Sequence, residues 1–191
     1  MRNEVVTMKV GLILVDIQND YFNGGKYELV KPEQAAIQAK KILTFFREHN
    51  WPIYHVRHIS VNPEAIFFIK GTTGTDFYKD CNPLEGEEII IKHRPDSFLG
   101  TSLKYKLEDK GINTLVVCGM MTHMCIDTTV RSASNYGYSV ELLEDACTTR
   151  DLVWGGITVP AEYVQYDYMA ALDGTFSKVQ KTDEWIKEHK F

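Results

Sequence analysis

A carboxylate, a thiol and an ammonium each stand at or just beyond the end of an apolar, β-forming run. Asp16 follows Val10–Val15 within DIQND, and Lys92 follows Glu88–Ile91. Cys125 follows Asn113–Cys118 across the turn GMMTHMC, and His58 closes a fourth run, Ile53–His58. In an open parallel sheet, ligands bind beyond the carboxyl ends of the strands, so these positions predict convergence on one edge. The chemistry is coherent. A free thiol with a pKa near ~8.5 is only partly ionised at neutral pH, and a nearby ammonium and a helix N-terminus both favour the thiolate. Asp16 can hold the thiol proton or pair with Lys92, then return a proton to a leaving amine. Backbone amides of the Met120–Cys125 turn can stabilise a developing oxyanion. Each residue taken alone also has an ordinary reading. An Asp after a strand is commonly a turn or cap residue, a Lys at a strand end is commonly solvated, and a lone Cys is commonly inert and buried.

Other chemistries have weaker support. His55 and His58 are three residues apart in a predicted strand and point to opposite faces, which makes them poor co-ligands for one metal. No HExxH and no cysteine-rich set supports zinc, and GxGxxG, Walker and GxSxG motifs are absent. No metal and no cofactor are therefore expected. Cys118 falls inside an apolar run and reads as core. Cys81 and Cys147 have no partner pattern, and His123 reads equally as a pocket-lining or an exposed helical residue.

The elements that must position these residues alternate between strand and helix, which signals a parallel sheet with helices on both faces. The predicted strands are Val10–Val15, Ile53–His58, Glu88–Ile91, Asn113–Cys118, Tyr138–Leu143 and Phe176–Val179. The predicted helices run from Pro32 to about His49 and over Thr101–Lys110, Thr122–Tyr136, Val159–Leu172 and Thr182–His189. That is a doubly wound α/β sheet of about six strands. Ile59–Gly86, with Pro63, Pro83 and a GTTGT run, resists assignment and reads as a substrate-covering loop, since loops this long are commonly functional. Trp154-Gly155-Gly156 reads as a loop at a subunit contact.

Composition narrows the classes. The chain has 191 residues, 44% hydrophobic and 25% charged, which suits one globular domain over residues 1–191. A net charge of −5 gives neither a nucleic-acid footprint nor a polybasic membrane patch. No apolar stretch is long enough to span a bilayer, and Val10–Val15, closed by Asp16, reads as a first strand rather than a signal peptide. The four cysteines are scattered without a CxxC pair, so a cytoplasmic protein with free thiols is expected.

Three segments carry a resemblance. DIQNDYF, the K-x4-SF-x2-TSL pattern from Lys92 to Leu103, and VVCGMMTHMCIDTTVRSASNYGY resemble the isochorismatase-like cysteine hydrolases, and DACTTRDL continues the match. The resemblance spans Val10 to Phe176. It implies a six-stranded, Rossmann-like three-layer α/β fold and an Asp–Lys–Cys triad at Asp16, Lys92 and Cys125. It also implies a cis peptide between Met120 and Met121, with the Met121 and Cys125 amides as the oxyanion hole. Two departures shape the functional expectation. The metal set of the family's nicotinamidases, resembling D-x-H, is missing from YHVRHISVNPEA. True isochorismatases lack the nucleophile cysteine, which is present here as Cys125. THMCIDTTVR is similar to the amidase-like members, including streptothricin-type lactam hydrolases. The implied activity is hydrolysis of a small amide, carbamoyl or lactam C–N bond through a cysteine acyl-enzyme. The alternatives are vinyl-ether hydrolysis with Asp16 as acid, and a non-catalytic thiol sensor or interaction module. The implied partners are a small amide-type substrate and further copies of the chain, as a dimer or tetramer. The pocket is expected from the Ile59–Gly86 loop, Phe22 and His123, and suits a small, partly apolar or planar substrate.

Overall fold

A computed structural model describes residues 9–190. In chain order its elements are β1 Val10–Val15, α1 Pro32–Glu48, β2 Ile53–His58, β3 Glu88–Lys92, α2 Leu103–Asp109, β4 Thr114–Met120, α3 Asp127–Asn135, β5 Ser139–Thr148, β6 Leu152–Trp154, β7 Ile157–Val159, α4 Ala161–Leu172, β8 Lys178–Gln180 and α5 Thr182–Glu188. Six strands form one parallel sheet in the order β3-β2-β1-β4-β5-β8. The alternating apolar pattern explains the layers. Leu12 and Leu14 of β1 pack with α1 and α5, whereas Ile13 and Val15 pack with residues of α2, α3 and α4 on the opposite face. A strand buried on both faces has no reason to alternate in polarity, and β1 is apolar throughout.

The strand order matters for function. The chain steps outward from β1 through β2 to β3, then returns beside β1 to begin β4. Connections leave β1 and β4 in opposite directions, so a crevice opens beyond their carboxyl ends.

Several local readings needed correction. The helix expected over Thr122–Tyr136 begins as a π-helical turn, Thr122–Ile126, and becomes α-helical only from Asp127. The helix expected from Val159 begins at Ala161, because Pro160 marks its start and Ile157–Val159 pairs with Leu152–Trp154. That pairing makes a hairpin of the segment expected to be a loop. Gly155 and Gly156 at its tip both have positive φ, 56° and 79°, as a tight hairpin turn requires. The strand expected to end at Leu143 continues to Thr148, with a register irregularity against β4 between Val117 and Gly119.

The segment between β2 and β3 is fastened down rather than free. Gln18 Nε2 donates to the carbonyls of His58 and Thr75 at 3.0 and 2.9 Å, and its Oε1 accepts from His58 N at 2.7 Å. The buried Asp20 carboxylate accepts from Phe68 N at 2.6 Å and Lys26 N at 3.2 Å. At the end of the segment, Glu87 accepts from Arg47 Nε and Nη2 at 2.7 and 2.9 Å and from Leu84 N at 2.9 Å. Glu87 also lies 2.7 Å from His55 Nε2.

Gly119 sits where β4 turns into the Cys125 loop. Its φ is +132°, and a Cβ there would lie 2.0 Å from the Val15 carbonyl oxygen. Gly119→Ala is expected to lower the unfolding free energy by about 3 kcal/mol or more in urea denaturation. Gly137 has a positive φ of 89° but nothing within 4 Å, so Gly137→Ala should cost only about 1 kcal/mol. Glu87 supplies a pH dependence. Burial acts to raise its pKa, but Arg47, Leu84 N and His55 outweigh it and lower the value from 4.5 to about 2. A depressed folded-state value stabilises the protein above the unfolded value, and that contribution is lost as pH falls from about 4.5 toward about 2. Denaturation midpoints measured across this window should fall less steeply in Glu87→Gln than in the wild type.

Candidate active site

Four strand ends meet at the crevice. Asp16 directly follows β1 and adopts a left-handed backbone, φ 51°, a conformation that Asp tolerates better than most residues. His58 ends β2 and Lys92 ends β3, and the two are register partners in neighbouring parallel strands. Cys125 lies within the π-helical turn after β4. The Met120–Met121 peptide that leads into this turn is cis.

Lys92 is fully buried, and its ammonium occupies the centre of the cluster. Nζ donates to Cys125 Sγ at 3.1 Å, to the Arg94 carbonyl at 3.0 Å and to His58 Nδ1 at 3.1 Å. Asp16 Oδ2 lies 2.7 Å from the same nitrogen, as an ion pair off the hydrogen-bonding direction. Both Asp16 oxygens, fully buried, therefore keep lone pairs free.

Electrostatics fixes the resting protonation. Burial acts to raise Asp16, but Lys92 and then His58 outweigh it and hold the carboxyl below its ordinary value. Burial acts to lower Lys92, but Asp16 and Cys125 outweigh it and hold the ammonium above its ordinary value. The Cys125 thiol is pushed up, first by burial and then by Asp16, with Lys92 opposing both. The sequence pattern predicts that Lys92 favours the thiolate, and Lys92 does act to lower the thiol pKa here. Burial and the carboxylate that shares its enclosure outweigh that help, since Cys125 is only 4% exposed.

Asp16, His58 and Cys125 each offer a ligand atom, all within 4.8 Å of one another. A metal ion on these three atoms would compete for space with the Lys92 ammonium, which already contacts all three. The cluster's positive charge is supplied by the chain itself.

The sequence reading named Asp16, Lys92 and Cys125, and the fold brings all three together. His58, placed by the sequence at the end of a strand but given no role beyond a poor metal co-ligand, joins them in the cluster. His55 points away and meets Glu87. Tyr21, inside DIQNDYF, was also missed. It is buried, and its phenol is pushed well up by burial, then by Cys125 and Asp16. His123 is half-buried, and its Nδ1 lies 2.6 Å from Thr149 Oγ1. Burial and then Arg150 lower its pKa. Phe22 stacks on Tyr78 with centroids 3.6 Å apart. It lines a cavity bounded by Asn19–Lys26 and Ile66–Tyr78, whose walls include none of Asp16, Lys92 and Cys125. Met121 is buried, and its carbonyl accepts from Met124 N and Ile126 N at 3.1 and 3.2 Å, which fixes the turn around Cys125.

Fold and site together define a hydrolase built on a parallel α/β sheet. Comparison with known proteins makes this specific: the isochorismatase domain model matches residues 10–182, and the chain belongs to the isochorismatase family. It is 47% identical over 180 residues to the Bacillus subtilis isochorismatase family protein YddQ, covering 94% of this chain and 100% of that protein. The crystal structure of an isochorismatase hydrolase from Oleispira antarctica superposes with a TM-score of 0.91 at 42% identity, covering 97% of this chain and 100% of that one. The ureidoacrylate amidohydrolase RutB of Pantoea ananatis is 27% identical over 171 residues, covering 72% of this chain and 68% of that protein. Among the described residues, no helix is long and apolar enough to cross a membrane.

A raised resting thiol has a measurable consequence. Alkylation of Cys125 by iodoacetamide should be slow near neutral pH and rise about tenfold per pH unit from about pH 7 to about pH 9. Asp16→Asn removes a charge that opposes ionisation, so its rise should begin at lower pH. A flat wild-type profile would instead mean a preformed thiolate.

Proposed function

We propose that the protein hydrolyses a small amide-type C–N bond through a cysteine acyl-enzyme. The observation that carries this reading is one ammonium held 2.7 Å from the Asp16 carboxylate and 3.1 Å from the Cys125 thiol. Asp16 has lone pairs free to take the thiol proton as Sγ attacks the carbonyl carbon. The C–S bond forms, and the carbonyl π electrons move onto oxygen. The Met121 and Cys125 amides face that oxyanion. As the tetrahedral centre collapses, the C–N bond breaks and the nitrogen takes the proton from Asp16. Water then attacks the thioester, Asp16 accepts its proton, and that proton returns to sulfur. Throughout, Lys92 keeps a positive charge beside whichever neighbour is negative, so neither Asp16 nor the thiolate is left buried and uncompensated.

The Lys92 position makes a metal-independent reaction the natural reading, and an amidohydrolase among the relatives supports the amide bond as target. The vinyl-ether reading gives Cys125 no task, and the thiol-sensor reading gives Asp16 none.

The test is product release from a panel of primary amides, carbamoyl compounds and lactams, with mass detection for lactam opening. Wild type should turn over at least one class with chelator present, and intact-mass analysis of quenched reactions should find an acyl adduct on Cys125. Cys125→Ala and Asp16→Asn should each lose about 10³-fold or more in kcat/KM. Cys125→Ser retaining most activity, or reversible oxidation of Cys125 with no turnover of any amide, would overturn the proposal.

A further inference from the structure

His58 has one ring nitrogen committed to the buried cluster and one left over. Nδ1 lies 3.1 Å from Lys92 Nζ. An ammonium carries protons and no lone pair, so Nδ1 must be the acceptor in that contact. In the neutral imidazole the proton then belongs to Nε2. Asp16 Oδ2 also faces Nδ1 but lies farther away, at 3.8 Å, so the nearer Lys92 sets the tautomer of His58, and Nε2 becomes a donor.

That donor has no use within the chain. No described residue hydrogen-bonds Nε2. It is not among the sealed polar atoms either, and the side chain keeps 18% exposure. His58 lines a cavity of about 350 Å³, with Ser60, Asn62, Glu64, Ile66, Phe67 and Phe68 among the other walls, and it is the one residue of the buried cluster that does so. Its backbone is held by Gln18 on both sides, and the Phe68 ring packs 5.7 Å from it. A fixed ring with one spare N–H, set between the Cys125 cluster and an aromatic-walled cavity, is arranged to recognise an acceptor on a ligand. The Asp16, Lys92 and Cys125 groups face His58 from β1, β3 and the turn after β4.

We propose that His58 is a specificity-determining residue that donates from Nε2 to an oxygen acceptor on the part of the substrate lying beyond the scissile amide. The preferred substrates are amides with a second carbonyl, ureido or carboxylate oxygen rather than simple aliphatic amides. The substrate half of this statement rests on the amide-hydrolase reading above. The tautomer half does not. Such a donor discriminates once the bound substrate shuts water out, because an analogue without the acceptor then leaves the N–H unpaired.

Two substitutions separate the two ring nitrogens. In His58→Asn, the side-chain oxygen can stand near the Nδ1 position and accept from Lys92, but nothing reaches the Nε2 position. In His58→Gln, the amide nitrogen can reach the Nε2 position, but the Lys92 acceptor is lost. The probes are acetoacetamide and butyramide, which differ by a distal carbonyl. Wild type should prefer acetoacetamide by about tenfold or more in kcat/KM. His58→Asn should erase the preference mainly through KM, while His58→Gln should keep the preference and lose mainly kcat. A preference that survives in His58→Asn would overturn the proposal, as would a wild type without one.

An NMR measurement keeps the ring's role testable apart from turnover. In the uniformly ¹⁵N-labelled protein at about pH 8, long-range ¹H–¹⁵N correlations should show His58 protonated at Nε2 with Nδ1 bare. The signal is assigned from its loss in His58→Asn, and it should shift in Lys92→Met. A proton on Nδ1 would overturn the proposal even in an active enzyme. If no amide on the panel is turned over but Nε2 carries the proton, the function reading fails while the donor assignment stands.

Discussion

The Lys92 ammonium contacts a carboxylate, a thiol, an imidazole nitrogen and a backbone carbonyl, each at 2.7–3.1 Å. A buried charge is tolerated only when it is paired and hydrogen-bonded. Lys92 meets that condition only if β1, β2, β3 and the turn after β4 all end within one small volume. The strand register therefore has little latitude. A one-residue slip of β3 would turn Lys92 to the opposite face of the sheet and leave the Asp16 carboxylate buried without its counter-ion.

Local strain gathers at the same place. Asp16 takes a left-handed backbone, Gly119 takes a φ closed to other residues, and Cys125 sits in a π-helical turn. Backbone of this kind persists where the surroundings over-determine it. Here they do. The β1–β4 pairing brings Val15 against Gly119, and apolar layers built on α1 and α5 on one face and on α2, α3 and α4 on the other clamp the sheet.

The long connection between β2 and β3 belongs to this rigid frame. Gln18 and Asp20, both buried and both in the segment after β1, anchor it at His58, Phe68 and Thr75. The same DIQND stretch thus supplies the Asp16 carboxylate of the buried cluster and the pins that position one wall of the adjoining cavity. The cluster and the cavity wall are coupled through a few residues of chain.

Strand and helix order, the parallel sheet and the gathering of Asp16, Lys92 and Cys125 on one edge were legible in the residues alone. Periodicity is a local property, and residues at the ends of parallel strands must share an edge. The motif wording added the family. What the linear pattern could not supply was set by enclosure and by distance. The upward push of burial on the Cys125 thiol, which outweighs the help from Lys92, is one such case, because desolvation depends on what surrounds a side chain in three dimensions. The direct contact of His58 with Lys92 follows from their register in neighbouring strands, a relation across 34 residues that no local spacing records. The hairpin at Gly155-Gly156 and the π-helical turn before α3 were likewise decided by tertiary pairing and packing. The sequence by itself determined which chemical groups the protein carries and on which edge they gather. Only the tertiary structure decided how deeply each is buried, which atoms stay free, and which neighbours each one meets.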